Sequence, residues 1–265
     1  MSWLSSGEPS FLENMLITNN DCLTFLDELN EGSIDCIWTD PPYFLSNDGT
    51  TCQGGKRVKV NKGEWDRLES IYAMHQFNSD WLTKCYRVLK PGGTIWVSGT
   101  HHNIHSIGFA MQAIGYKILN NIVWEKTSPP PNLACSCFTH SYETIVFASK
   151  GKGYTFNYDW LKETNNGKQQ KDILKFGRPT KEEKAFGKHP TQKPLSLVQY
   201  CLQASTNPGD KVLDPFMGSG TTGVAAIGLG LDFFGCEKDP EHYQLAQKRI
   251  EEEKRNGRMD STPTG

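Results

Sequence analysis

The chain has 265 residues, 37% of them hydrophobic and 11% aromatic, which fits one well-buried α/β domain carrying inserted loops. No apolar run approaches the roughly 20 residues of a bilayer span, and Met1–Ser10 lacks a basic region and apolar core, so a membrane protein and a secretory leader are both excluded from the expectation. Eight scattered cysteines, with Cys36, Cys201 and Cys236 in apolar runs, do not make a disulfide framework, and a soluble cytoplasmic protein is expected.

Ile34–Thr39 is a β-branched and aromatic run that predicts a buried strand, and it ends on Asp40-Pro41-Pro42-Tyr43. A loop at the carboxyl end of such a strand is where open α/β sheets hold ligands. Two prolines stiffen it and remove N–H donors, leaving carbonyls as acceptors. An exocyclic amine is a poor nucleophile because its lone pair is delocalised into the ring. If Asp40 and the Pro41 carbonyl each accept one of its hydrogens, the nitrogen is drawn toward tetrahedral geometry and its lone pair is freed. Tyr43 and Phe44 offer faces on which a base can stack once it has left its duplex.

Further along, Phe77–Leu89 has helical spacing and Pro91-Gly92-Gly93 stops it, Thr94–Ser98 predicts a strand, and Ile104–Ile114 a helix closed by Gly115. Strands are expected at Asn121–Trp124 and Glu143–Phe147. Three stretches lack periodicity: 47–66, 127–140 with its three consecutive prolines, and 151–188. From Lys150 to Lys193 there are eleven Lys or Arg against five Asp or Glu, a local basic surface despite a net charge of −2. Cys135, Cys137 and His140 have no second ligand pair, so no metal is expected.

Order returns with a helix over Leu195–Ser205, the strand Lys211–Leu213, a Gly-rich turn, a helix over Thr221–Leu229, the strand Asp232–Cys236 ending at Glu237, and a last helix from Pro240 to about Lys254. The turn Asp214-Pro215-Phe216-Met217-Gly218-Ser219-Gly220 permits close backbone approach of a ligand. Glu237, 17 residues after Gly220, stands where an acid takes both ribose hydroxyls. The third glycine of the dinucleotide fingerprint is missing, and Asp214 would repel a pyrophosphate but can hold an amino group. That combination prefers S-adenosylmethionine to NAD.

These residues resemble the β-group DNA amino-methyltransferases, in which the Asp-Pro-Pro-Tyr loop precedes Asp-Pro-Phe-x-Gly-x-Gly, over about Met15 to Ile250. His189-Pro190-Thr191-Gln192-Lys193-Pro194 looks like the family segment that closes over the methionine end of the cofactor, and Asn20-Asp21-Cys22 like the turn whose acid reads its adenine. Tyr43–Asn47, Lys62–Asp66 and Trp124–Pro129 are similar to the DpnA-like second methyltransferases of restriction systems that protect GATC.

The resemblance implies a Rossmann-like α/β fold with a mixed, mostly parallel sheet and the catalytic half before the cofactor half. One domain over 12–254 would carry DNA-recognition loops at the three irregular stretches, followed by a flexible tail at 255–265. It implies N6 methylation of a flipped adenine within GATC, with action on single strands as well, by a prokaryotic or phage-encoded protein that could pair as a homodimer. Asp40, Pro41, Pro42 and Tyr43 would be catalytic. Asp21, Cys22, Asp40, Thr191, Lys193, Asp214, Phe216, Gly218, Ser219, Gly220, Thr221 and Glu237 would line the cofactor. Phe44, Lys56, Arg57, Lys59, Lys168, Lys171, Arg178 and Lys181 would meet DNA, the basic ones through phosphates. Two alternatives stay open: N4 methylation of cytosine, in a group that more often has Ser in place of Asp40, and a nicotinamide-dependent oxidoreductase built on the βαβ unit.

Overall fold

The buried run at 34–39 forms strand β2 (Ile34–Thr39) in the middle of an eight-stranded sheet. The computed structural model describes residues 15–44, 50–53, 56–59, 70–187 and 189–260. In chain order the main sheet is built from β1 (Met15–Thr18), β2, β5 (Leu89–Gly99), β6 (Lys117–Lys126), β7 (Tyr142–Ser149), β8 (Ile173–Phe176), β9 (Lys211–Asp214) and β10 (Asp232–Cys236). The spatial order is β1-β10-β9-β2-β5-β7-β6-β8. From β1 to β5 all neighbours are parallel, β7 runs antiparallel to β5 and β6, and β8 is parallel to β6. The sheet is therefore mixed and mostly parallel, with the half after β2 preceding the half around β9 in sequence.

β2 is buried at nearly every position because both of its faces are covered, as parallel sheets require. Ile37, Ile95 and Val97 face one core with Phe25 of α1 (Cys22–Glu28), Trp81 of α2 (Ile71–Val88) and Ile107 of α3 (Ile104–Ile114). Cys36, Trp38 and Trp96 point the other way. They meet Leu202 of α5 (Leu195–Ser205), Ala225 of α6 (Thr221–Gly228) and Ile250 of α7 (Pro240–Asp260). The chain leaves β2 toward β5 and leaves β9 toward β10, so the β2–β9 boundary is a topological switch point where a crevice opens.

Several elements differ from expectation. α2 starts at Ile71 because Ser70 accepts a hydrogen bond from the Ala73 N–H at 3.1 Å, a side-chain cap. α7 runs to Asp260, past Lys254, and its polar last turns carry exposed Arg255 pairs to Glu251 and Glu252. The stretch 151–188 is more regular than its composition suggests. It holds α4 (Tyr158–Thr164), with Leu161 buried, and β8, whose Leu174 enters the core while the Trp124 indole N–H donates to the Phe176 carbonyl at 3.0 Å. A four-residue edge strand presents too few core positions to show a period. Within 47–66 the described residues form the hairpin β3 (Thr50–Gln53) and β4 (Lys56–Lys59), which carries Lys56, Arg57 and Lys59; the Lys62–Asp66 similarity lies outside the described residues.

Gly220 shows why the Gly-rich turn is built as it is. Its φ is +75°, and a Cβ there would lie 2.9 Å from the Ala246 Cβ and 3.0 Å from its Cα. α7 therefore packs directly on the turn. Gly220→Ala combines left-handed strain with a backbone clash, and chemical denaturation should register a loss of about 1–3 kcal/mol. An unchanged midpoint would mean that α7 can move away freely.

Candidate active site

A cavity of about 300 Å³ opens at the carboxyl ends of β2, β9 and β10. Asp40, Pro41, Pro42, Tyr43 and Phe44 form one wall; Asp214, Phe216, Gly218, Ser219, Thr221 and Glu237 form another, with Asp21, Cys22, Thr191 and Lys193 completing it. Two loops separated by more than 170 residues in sequence thus share one space because β2 and β9 are neighbours. Thr39 Oγ1 donates to Asp214 Oδ1 at 2.9 Å, tying the two walls together.

At the first wall Asp40 is nearly buried. Its Oδ1 accepts from the Tyr43 hydroxyl and its Oδ2 from Lys193 Nζ. The Pro42 carbonyl accepts weakly from Asn103 at 3.4 Å, whereas among the described residues nothing donates to the Pro41 carbonyl. Phe44 has φ +56°, a conformation uncommon for a bulky residue and a form of strain that clusters at functional sites. Its ring meets Phe77 edge-on at 5.9 Å, and Phe77 and Trp81 both contact the Phe216 ring, so an aromatic row lines this side. Burial, seconded by Glu143, pushes the Asp40 carboxyl up against the pull of Lys193. Burial alone would lower Lys193, but Asp40 and Glu143 outweigh it and keep its ammonium charged.

The second wall fits a nucleoside carrying an amino-acid tail. Asp214 accepts from Thr39, from the Phe216 N–H at 3.1 Å and from Thr222 Oγ1 at 2.6 Å, which fills three of its roughly four lone-pair sites. One remains for an ammonium. Burial pushes its carboxyl up to about 7, against the three hydrogen bonds. Glu237 Oε2 accepts from the Gly218 N–H at 2.9 Å and Oε1 from the Asp239 N–H at 2.8 Å, so the carboxylate is oriented while each oxygen keeps a free lone pair for a hydroxyl. Gly218 has φ +50°, and a Cβ there would come within 3.2 Å of His189 Nε2. Gln192, also on the wall, keeps a buried Oε1 without a donor among the described residues. An acceptor-rich cradle with one unfilled carboxylate site suits a cationic, hydroxylated ligand better than a pyrophosphate.

The structure sorts the expected residues. Gly220 does not line the cavity; it supports α7 from behind. The Ser219 and Thr221 hydroxyls accept from buried Arg249, whose Nη1 lies 3.0 Å from each, which fixes the turn while both residues line the cavity. Asp21 Oδ1 caps α1 through the Leu23 N–H at 3.0 Å, leaving Oδ2 near Lys238 at the rim. Cys22 is a buried contact whose thiol burial pushes up to about 12. Lys193 reaches the cavity, but its ammonium is engaged by Asp40. Glu143 and Arg249 belong to no motif of the sequence. Glu143 begins the buried part of β7, and a carboxylate leading an apolar strand is the signal that could have found it.

Of the expected DNA contacts, Phe44 lines the cavity. Lys168, Lys171, Arg178 and Lys181 are all exposed. β6 and β8 run parallel to β2 in direction, so Arg178 and Lys181, after β8, emerge at the edge that holds the cavity. There Arg178 donates to the Ser128 carbonyl of the 127–140 loop. Lys171 lies two residues before β8 and, through the register of β6, β7 and β5, is level with Thr39 at the carboxyl end of β2. Cys135, Cys137 and His140 are exposed on the same loop, with His140 stacked on His101.

A topological switch point with an acid-tipped strand on one side and a Pro-rich acceptor loop on the other is the layout of a Rossmann-like methyltransferase. A family described as DNA methylase matches residues 34–248, and the chain belongs to it. It is 48% identical to the type II methyltransferase M2.DpnII of Streptococcus pneumoniae over 250 residues, 93% of each chain. It is 45% identical to M2.MboI of Moraxella bovis over 242 residues, 91% of this chain and 89% of that one. The crystal structure of M1.HpyAVI with S-adenosylmethionine has a TM-score of 0.66 at 27% identity, covering 89% of this chain and 98% of that one. The cytosine-N4-specific PvuII DNA methyltransferase has a TM-score of 0.71 at 18% identity, covering 92% and 93%. The oxidoreductase alternative falls with this assignment, whereas the fold itself is common ground for N4-cytosine enzymes.

Proposed function

We propose that this DNA methyltransferase uses S-adenosylmethionine to methylate the N6 amino group of adenine, within GATC. The observation that carries the reading is the pairing of the Asp40 carboxylate with the open Pro41 carbonyl beside the aromatic row. Two acceptors hold an amine's two hydrogens, and Tyr43 and Phe44 hold the ring. When bound, the cofactor supplies a methyl group on a sulfonium: the amine lone pair forms the N–C bond as the C–S pair returns to sulfur, and the nitrogen then loses a proton to water. Glu237 grips the ribose end and Asp214 the amino end, while Thr191 stands at the rim.

Adenine rather than cytosine rests on Asp40 and on the similarity of Tyr43–Asn47 and Trp124–Pro129 to DpnA-like enzymes. Oligonucleotides containing only adenine or only cytosine as candidate target, followed by digestion of methylated plasmid with GATC-sensitive endonucleases, test both parts. Incorporation into the cytosine-only strand would overturn the base assignment. The same oligonucleotides, single- and double-stranded, test the action on single strands that the similarity implies. Elution volume in the presence of DNA tests for a homodimer.

The stretches 47–66, 127–140 and 151–188 act as the DNA-recognition loops of a single catalytic domain. Phosphate contacts come from Lys168, Lys171, Arg178, Lys181 and the Lys56–Lys59 strand of the hairpin. Arg178→Ala with Lys181→Ala should lower the slope of log affinity against log salt by about 2, and Lys168→Ala with Lys171→Ala by a similar amount. An unchanged slope for either pair would remove those two residues from the path of the DNA.

A further inference from the structure

We infer that Glu143 is a positioning residue that receives Lys193 and the Tyr43 hydroxyl when the target amine takes their place on Asp40. Both oxygens of Asp40 are engaged by donors of the protein itself, Tyr43 Oη on one and Lys193 Nζ on the other. An incoming amine therefore competes with an ammonium and a phenol for the carboxylate that must hold it. The competition matters most at the transition state, where positive charge develops on the amine nitrogen as its lone pair is given to the methyl carbon. An ammonium fixed on Asp40 opposes that charge, whereas the bare carboxylate stabilises it.

Glu143 stands where both displaced donors can go. Its Oε2 lies 3.2 Å from Tyr43 Oη and 3.5 Å from Lys193 Nζ. The lysine needs to move by less than about 1 Å to reach ordinary ion-pair distance. Glu143 Oε1 is anchored by Lys126 Nζ at 2.7 Å, so the acceptor stays in place while the donors shift. Among the described residues four ionisable side chains face the carboxylate: Lys126 from its neighbouring strand β6, Lys193 ahead of α5, and Asp40 and Tyr43 from the loop after β2. Ser98, at the end of β5, lies 3.3 Å from the Tyr43 hydroxyl and can steady the phenol in either position. Glu143 itself does not line the cavity, which separates its role from substrate contact. Lys193 thus shuttles between two carboxylates and never loses a counter-charge, which lets a buried cation move at small cost.

The inference rests on Asp40 being the amine's acceptor, and its test is separable from that reading. Glu143→Gln keeps the shape but removes the charge that draws Lys193 away. Its kcat should fall about 10- to 100-fold, with the S-adenosylmethionine Kd and the DNA KM within about threefold of wild type. The acid limb of its kcat profile should move to lower pH, because the negative neighbour that raises Asp40 is gone. Glu143→Asp, which keeps the charge on a shorter arm, should recover part of the rate, and it carries the test alone if the glutamine variant does not fold. A wild-type kcat and pH profile in both variants overturns the inference. So does a loss confined to cofactor binding or thermal stability, since that is what a buttress would give. If Asp40→Ala remains active, the underlying reading fails; if it is inactive while both Glu143 variants are normal, only the inference does.

Discussion

Asp40→Ala should reduce methyl incorporation by about a thousandfold or more, the order expected when one preorganised electrostatic partner worth ~4 kcal/mol is lost from a buried site. The loss should appear in kcat, because the cavity's cofactor wall is built from other strands and its Asp214 and Glu237 keep their hydrogen bonds. The fold should survive. Removing Asp40 strips Lys193 of its nearest counter-charge, but Glu143 is still beside it at 3.5 Å, so the penalty should stay below the roughly 3–5 kcal/mol of an orphaned buried ion. Asp40→Asn gives a finer reading. The amide still offers one carbonyl lone pair to the amine but presents either an NH2 or an uncharged oxygen to Lys193. Its activity should fall between alanine and wild type while cofactor titration stays unchanged. Incorporation within tenfold of wild type for Asp40→Ala would mean that the amine is held elsewhere and that the Asp-Pro-Pro-Tyr loop is a stiff turn.

That loop was legible before any coordinates because its signals are local. A β-branched run, an acid at its end and two prolines place acceptors at the mouth of an α/β sheet, and β2 ends at Thr39 with Asp40 next. The Gly115 stop of α3 was equally plain: φ +107° is a conformation that glycine adopts without strain. Other parts are fixed by distant partners and leave little trace. α1 is seven residues long, too short for a helical period to be distinguished from chance. β8 contributes one buried residue to the core. Glu143 owes its role to Asp40, more than 100 residues earlier, and to Lys193, 50 residues later, and nothing in Tyr142–Ser149 announces either. Arg249 looks like one of several charges on a polar helix until α7 is laid against the Gly-rich turn, where its guanidinium holds the Ser219 carbonyl at 2.6 Å. The charge of 150–193 is visible in sequence, but the place of its carriers beside the cavity depends on the pairing of β8 with β6.

Asp214 makes the cofactor site sensitive to pH in a direction that can be worked out. Its carboxyl is pushed up to about 7 by burial, so in the free protein it is largely protonated at pH 6. An ammonium group favours the ionised form, so binding the cofactor's amino end should release a proton from Asp214. Affinity for S-adenosylmethionine should then weaken as pH falls below 7, by up to about tenfold per unit between pH 7 and 5.5, and level off above 7. Isothermal titration in buffers of different ionisation heat would count the released proton directly. Stability runs the opposite way. A carboxyl whose folded pKa lies above its unfolded value favours the native state fully at low pH, and that contribution is lost as pH rises through about 7. Asp214→Asn removes the titration while retaining an acceptor for Thr39 and the Phe216 N–H. It should bind the cofactor about tenfold or more weakly at pH 8, with a flat pH dependence, yet unfold at an equal or higher denaturant midpoint there. A variant that binds weakly because it is unstable would show the two losses together. A variant with wild-type affinity and an unchanged pH profile would show that the ammonium is held by another group, with the buried Gln192 Oε1 as the next acceptor on the wall.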